Sequence, residues 1–316
     1  MTPYELGLPP WMLGASAFVW GCLWGSFVNV VVYRVPRGMS VVRPPSHCPA
    51  CGEPVRAWDN VPIVSWLLLR GRARCCCARI SARYAVIELL GGIVSLGIGQ
   101  LVLRATPAGG TLFHAGAVFL ADFALAMALI AAAFIDAEHM YLPDAITIAG
   151  TLFGLSTPGL REMTYRAALT GAAIGFVGVW LPFVVAYKLV RKRTGMGLGD
   201  AKLVMLTGAW FGWQGAAFAL FGGALQASVT AIALLLVRGR IDEPAAVRAD
   251  RECLQRAAAS GDEEAKAALE QDPLAHAPED GILAARIPFG PFLCLATIEW
   301  MLFGARIREM LHGLDG

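Results

Sequence analysis

Residues 113–147 read FHAGAVFLADFALAMALIAAAFIDAEHMYLPDAIT, and this stretch decides the fold. From 113 to 135 only His114 and Asp122 interrupt an apolar run. A helix of that length crosses the roughly 30 Å hydrocarbon layer of a bilayer. The run stops at Asp136, and a short polar loop follows. Working outward, seven further apolar segments cover about 11–33, 84–103, 142–158, 168–189, 200–213, 215–237 and 289–305. The segments 142–158 and 200–213 are short and contain glycine. Over 316 residues the chain is 57% hydrophobic and only 16% charged, where soluble domains carry about 25% charged residues. Its mean hydropathy is +0.58. The expected fold is therefore an all-α polytopic membrane protein with about eight transmembrane helices. The first segment lacks a basic start and is followed by many further spans, so it is not expected to be a cleaved signal peptide.

Two polar segments interrupt the spans. The first, 34–83, is rich in Pro, Cys and Arg: Arg34, Arg37, Arg43, Arg56, Arg70, Arg72, Arg74, Arg79 and Arg83 stand against Glu53 and Asp59. The second, 238–288, contains IDEPAAVRADRECLQRAAASGDEEAKAALEQDPLAHAPEDGILAA, which reads as one or two short amphipathic helices ended near Pro273 and Pro278. It carries no catalytic pattern and reads as a solvated insert. The expected divisions are a first helix at 1–33, a Cys-rich loop at 34–83, a membrane core at 84–237, the insert at 238–288, and a last helix with its tail at 289–316. Basic loops stay in the cytoplasm. With 34–83 inside, and Lys188, Arg191, Lys192, Arg193 and Lys202 inside as well, an eight-span count alternates cleanly. Arg306 and Arg308 argue mildly against the outer C-terminus that this gives.

That topology puts Asp136 and Asp200 on one face, the cytoplasmic one. Each lies where a long apolar segment meets a short polar loop, Asp200 in GMGLGDAKL. Two converging carboxylates can share one proton, so that one is a base and the other an acid. An acid at the C-terminal end of a helix opposes the macrodipole, so structure alone does not favour Asp136. Asp200 has an ordinary structural reading too, as the N-cap of the AKLVML helix. Gly195, Gly197 and Gly199 serve either as a flexible turn or to let backbone and substrate approach closely. Asp144, after Pro143, reads as a cap or turn residue.

A second constellation is made of thiols. Cys48-Pro-Ala-Cys51 is a CxxC knuckle, and Cys75, Cys76 and Cys77 follow after a spacer of 23 residues. Thiolates in a cytoplasmic loop point to zinc more than to disulfides, and a loop too small for its own core needs such a staple. Three adjacent cysteines lack the second CxxC, however, and the competing reading is a group of partly buried thiols. Cys22, Cys253 and Cys294 are scattered and read as packing residues.

Four further side chains carry two readings each. Glu88, about a turn into its span, either complements the helix dipole or supports a site. Asp122, in the middle of a span, is a functional candidate by position or a protonated acid hydrogen-bonded to a neighbouring helix. His139 either tunes Asp136 or is solvated. Lys202 either holds substrate or snorkels to the interface. Trp11, Trp20, Trp210 and Trp213 read as interfacial or packing aromatics. A proton- or ion-coupled transporter suits intramembrane acids and Gly-broken helices. It would place its acids near the midplane and show an internal repeat, and no clear repeat is present. A noncatalytic assembly scaffold is a further alternative, weakened by the presence of both aspartates.

Four ordered blocks now carry a family resemblance. SHCPACGEPVRAWDNVPIVSWLLLRGRARCCCARISARYAVIELL, FIDAEHMYLPDAIT, GMGLGDAKLVMLTGAWFG and IPFGPFL resemble the type IV prepilin leader peptidases, membrane aspartic proteases of the GxGD type. The resemblance runs from about Gly21 to Ile298, leaving out 241–286. It implies cleavage of the short basic leader of prepilins and pseudopilins at the cytoplasmic face of the bacterial inner membrane. In many members it also implies N-methylation of the new amino terminus with S-adenosylmethionine. The catalytic aspartates it implies fall on Asp136 and Asp200; Gly197, Gly199, Lys202 and Glu88 are read from their own positions as substrate-binding or supporting residues. Its four zinc-type cysteines fall on Cys48, Cys51, position 73 and Cys76. Position 73 is Ala73 here, so a zinc site would need Cys75 or Cys77 in its place. Lipid and prepilin are the expected partners, and no nucleic acid is expected.

Overall fold

A computed structural model describes residues 9–106, 111–191, 196–271 and 287–312. Helix α1 (Pro10–Arg34) leads into the Cys-rich loop, which carries the short helix α2 (Val64–Leu68). Helices α3 (Arg83–Ala105), α4 (Leu112–His139), α5 (Asp144–Ser156) and α6 (Tyr165–Val179) follow. A π-helical stretch, Trp180–Ala186, joins α6 to α7 (Tyr187–Arg191). Then come α8 (Leu198–Arg238), α9 (Ala245–Ala259), α10 (Glu263–Gln271) and α11 (Gly290–His312). Among the described residues there is no strand, only the isolated bridges His47–Pro54 and Arg72–Arg79.

Six helices among the described residues are long and apolar enough to cross a membrane, against the eight segments read from sequence. The difference lies in two places. The segment 142–158 forms only the 13 residues of α5, about 20 Å of helix, too short to span. The segments 200–213 and 215–237 join in the 41 residues of α8. That helix is broken at Gly212, whose φ of 70° and ψ of −173° are not helical. Only glycine takes such a conformation freely. Contacts with α11 show that the chain turns back there. Thr207 pairs with Thr297 before the break. After it, Gly215 lies against Trp300, Gly222 against Ala296 and Gly223 against Leu293, an antiparallel run. The two arms of α8 thus run in opposite directions beside α11.

Helices come close where side chains are small. A Cβ on Gly21 would lie 2.2 Å from the carbonyl oxygen of Gly91, which locks α1 to α3. A Cβ on Gly208 would lie 2.1 Å from that of Gly171, which locks α6 to the first arm of α8. Such approaches hold membrane helices together by packing, because lipid gives no hydrophobic drive. Within the bundle Leu129, Ile135, Leu203, Leu206 and Leu293 are fully buried.

The insert forms two short helices, as its pattern suggests. α9 is not merely solvated, since it packs against α4, with Val247 buried and Glu243 held 2.6 Å from Arg251. The helix ends expected near Pro273 and Pro278 lie outside the described residues, as do Gly195 and the loop residues Lys192 and Arg193.

Candidate active site

Helix α4 ends at His139, and Met140 closes it in the left-handed region (φ 53°), donating its N–H to the carbonyl of Asp136 at 2.8 Å. This places the Asp136 side chain on the last turn, buried in the bundle. Asp200 sits in the first turn of α8. It is not the N-cap: Gly197 holds that position, and the Asp200 carboxylate reaches back to accept the Gly197 N–H at 3.2 Å. That contact is one half of a capping box. Leu142 packs against Gly199, the residue before Asp200, and α11 packs on both α4 and α8. The structure therefore brings Asp136 and Asp200 to one end of the bundle.

Two residues that sequence reasoning passed over complete this arrangement. Gly290, the first residue of α11, donates its N–H to Asp136 Oδ2 at 2.9 Å. A Cβ there would lie 2.6 Å from the same oxygen, so no other side chain fits without a shift. Leu142 stands between the elements: its side chain lies 3.2 Å from where a Cβ on Gly199 would be and 3.1 Å from the same point on Gly290. The one signal in the sequence is IPFGPFL, whose Gly-Pro opens a helix.

Lys202 is on the same arm of α8, but its ammonium is taken by Asp144 Oδ1 at 2.6 Å. Asp144 is the first residue of α5 rather than its N-cap, which is Pro143. Glu88 is placed elsewhere, in a cavity that neither aspartate lines. His139 Nε2 is buried with no hydrogen-bond partner among the described residues. Asp122 does not show the expected hydrogen bond to a neighbouring helix. Its Oδ1 has no partner among the described residues, and the nearby charge is that of Arg161. Burial lowers the Arg161 guanidinium to about 10; it lies 4.2 Å over the Trp210 ring and donates to the Gly154 carbonyl at 2.7 Å.

The thiols form a second cluster. The bridges His47–Pro54 and Arg72–Arg79 fold two tight turns that face each other. Sulfur atoms of Cys48, Cys51, Cys75 and Cys76 all lie within 4.8 Å of one another. The contacts are 3.6 Å for Cys48–Cys76 and 3.4 Å for Cys51–Cys75. A tetrahedral ion with metal–sulfur bonds of about 2.3 Å separates its sulfurs by about 3.8 Å, so the cluster fits a metal. Backbone N–H groups of Ala50 and Cys51 lower the Cys48 thiol to about 7. Cys75 is pushed up to about 12, first by its hydrogen bond with Cys51. Four neighbouring thiols cannot all ionise unless a cation sits among them. Cys77 turns away with φ 58°, and Ala73 is buried, its N–H given to Ala78 and its carbonyl accepting from Cys77.

Comparisons with known proteins match two stretches of the chain, one holding the thiols and one holding the two aspartates. Residues 19–101 match the Bacterial Peptidase A24 N-terminal domain, and residues 123–232 match the Type IV leader peptidase family. A prepilin leader peptidase/N-methyltransferase of Neisseria gonorrhoeae is 37% identical over 252 residues, covering 71% of this chain and 83% of the relative. One from Myxococcus xanthus is 35% identical over 317 residues, covering 93% and 91%. One from Aeromonas hydrophila is 34% identical over 257 residues, covering 72% and 83%. No solved structure matches.

Proposed function

Because this chain belongs to the type IV leader peptidase family, we propose that it removes the leader of prepilins with Asp136 and Asp200 and methylates the new amino terminus. What supports the peptidase reading is the placing of both carboxylates at the end of the bundle where α4, α8 and α11 come together, with Gly290 donating its N–H to Asp136. One aspartate, ionised, takes a proton from water. The water attacks the scissile carbonyl, which the other aspartate, protonated, polarises. The proton then reaches the leaving amine, and no acyl-enzyme forms. Roles are not divided between the two, because a coupled pair titrates as a unit. The Gly290 N–H donates to one oxygen of Asp136 and leaves the other for water or substrate.

The Arg-rich loop lies at the carboxylate end, since Arg83, at the start of α3, pairs with Glu138, at the end of α4. Basic loops remain inside, so this end faces the cytoplasm of an inner-membrane protein. A prepilin with its apolar helix in the bilayer and its basic leader inside would present its junction at that level. Zinc held by Cys48, Cys51, Cys75 and Cys76 would staple the loop without entering the chemistry. S-adenosylmethionine, when bound, supplies the methyl group. A transporter is not favoured, because the paired acids lie at helix ends rather than at the midplane.

The test is mass spectrometry of a panel of prepilins incubated with the purified protein and S-adenosylmethionine. Loss of the leader and a gain of one methyl group support both activities. An unchanged substrate mass across the panel rejects the peptidase reading.

A further inference from the structure

Far from the aspartates, three elements meet on one guanidinium. A short 3₁₀ turn, Pro158–Arg161, follows α5 and packs on α4. Arg161 donates to the Gly154 carbonyl at 2.7 Å and to the Thr157 hydroxyl at 3.4 Å, both at the closing end of α5. Its guanidinium lies 4.2 Å over the ring of Trp210, on the first arm of α8. On α4 the charge near it is Asp122. We infer that Arg161, held to α4 by Asp122, is a positioning residue for the peptidase: it ties the helices that carry Asp200 to the helix that carries Asp136. The inference rests on the peptidase reading above and adds what keeps the two carboxylates at a working distance.

Depth and burial carry the first part. Asp122 lies 14 residues before Asp136 on α4, about 21 Å along the helix. α5 starts at the aspartate end, where Asp144 pairs with Lys202, and its 13 residues run about 20 Å. Its far end therefore delivers Arg161 at the depth of Asp122. An ionisable group inside the membrane faces the bundle and pairs with another. Asp122 is only 7% exposed. Its Oδ1 and the Arg161 Nε are both buried without a hydrogen-bond partner among the described residues. Each is then compensated by the charge of the other, and removing one leaves the second uncompensated. Neither takes part in the acid–base scheme above.

The packing of the bundle carries the second part. α5, α6 and the first arm of α8 form one body. Gly171 of α6 meets Gly208, and a Cβ on Gly154 of α5 would lie 2.5 Å from the Trp210 ring. Trp210 is fully buried and donates its Nε1–H to the Gly150 carbonyl at 2.8 Å. α4 packs on α5, on the 3₁₀ turn and on α11, but hardly on α6 or α8. The tie at the turn is therefore one of few between Asp136 and the body that carries Asp200. Trp210 stands two residues before Gly212, where α8 turns back. Asp200 is 12 residues from that turn, about 18 Å, so a tilt of about 3° there carries it about 1 Å. Such a shift is enough to cost about a hundredfold in rate. Asp136 stays behind on α4, so the tilt changes the separation of the pair. The other tie of α5 to the arm, Lys202 with Asp144, is exposed and holds weakly.

The experiment uses the full chain in lipid nanodiscs and a prepilin, with kcat and KM for leader removal expressed per folded protein. Arg161→Gln and Asp122→Asn should each lower kcat at least about tenfold and leave KM within about twofold, because contacts with the substrate stay and only the alignment of the carboxylates is lost. A purely structural role lowers the amount of folded protein and leaves kcat per folded molecule unchanged. Asp122→Asn combined with Arg161→Gln should be no slower than the worse single variant, since each acts through the other. Asp122→Asn keeps size and shape, and it decides the matter if Arg161→Gln does not fold. Wild-type kcat in Asp122→Asn, additive losses in the double variant, or misfolding of both single variants overturns the positioning role and leaves the peptidase reading standing. A wild-type protein that leaves every prepilin uncleaved removes the peptidase reading and this inference with it.

Discussion

Asp136 and Asp200 are 64 positions apart in sequence, and the mechanism proposed for them involves a third residue, Gly290, that carries no functional group. Its N–H holds one oxygen of Asp136, and its missing side chain leaves room for that carboxylate. Gly290→Ala puts a methyl group 2.6 Å from Asp136 Oδ2, so the acid must move. Misplacement of about 1 Å can cost about a hundredfold in rate. Leader cleavage by this variant should fall by about that factor at normal expression and unchanged thermal stability; wild-type turnover would remove Gly290 from the site. Asp144→Asn is the contrasting case. Its ion pair with Lys202 is 60% exposed on the Asp144 side, and such pairs contribute at most about 1 kcal/mol. Cleavage within about fivefold of wild type is expected, and a loss matching Gly290→Ala would make Asp144 part of the chemistry. Asp136 and Asp200 were legible in sequence because each is an acid at the edge of an apolar run. Gly290 was not, because an N–H aimed across the bundle at another helix has no sequence pattern of its own.

Among the elements, the Cys-rich loop has a local geometry that favours one of the sulfur sets that spacing leaves open. Adjacent Cys75, Cys76 and Cys77 offer no CxxC, yet the turn closed by Arg72–Arg79 points two of them at the first knuckle and Cys77 away. Cys75→Ser should therefore lose bound metal under mild chelation while Cys77→Ser retains about one ion per chain. Elemental analysis after dialysis distinguishes them, and equal retention by both variants would contradict the four-sulfur set. The choice between Cys75 and Cys77 was not legible beforehand because it depends on a left-handed backbone conformation at a residue other than glycine. Helix α8 is the converse. The sequence placed a break between 213 and 215, and the chain turns at Gly212, beside it. What sequence could not supply was length: the arm before Gly212 and the whole of α5 are too short to span, so eight apolar segments give six membrane-length helices.

At the scale of the whole molecule two centres stand side by side. The carboxylates belong to α4 and α8, steadied by α11, whereas the thiols and the cavity belong to the loop, α1 and α3. Arg83 with Glu138 ties the two parts together at the carboxylate end. A carboxylate pair needs its own helices to converge, while a loop without its staple unfolds locally. Cys48→Ser combined with Cys51→Ser should thus lower methylation more than cleavage, scored on the same product by mass; complete loss of cleavage in a well-folded double variant would make the loop part of the protease. The central claim is that Asp136 and Asp200 together cleave the leader. The most direct measurement is leader removal from a prepilin by purified wild type, Asp136→Asn and Asp200→Asn at matched concentration in lipid. Each variant keeps its shape but loses an ionisable group, so each should fall at least about a hundredfold, the usual worth of a positioned acid or base. Near-normal processing by either variant would contradict the account.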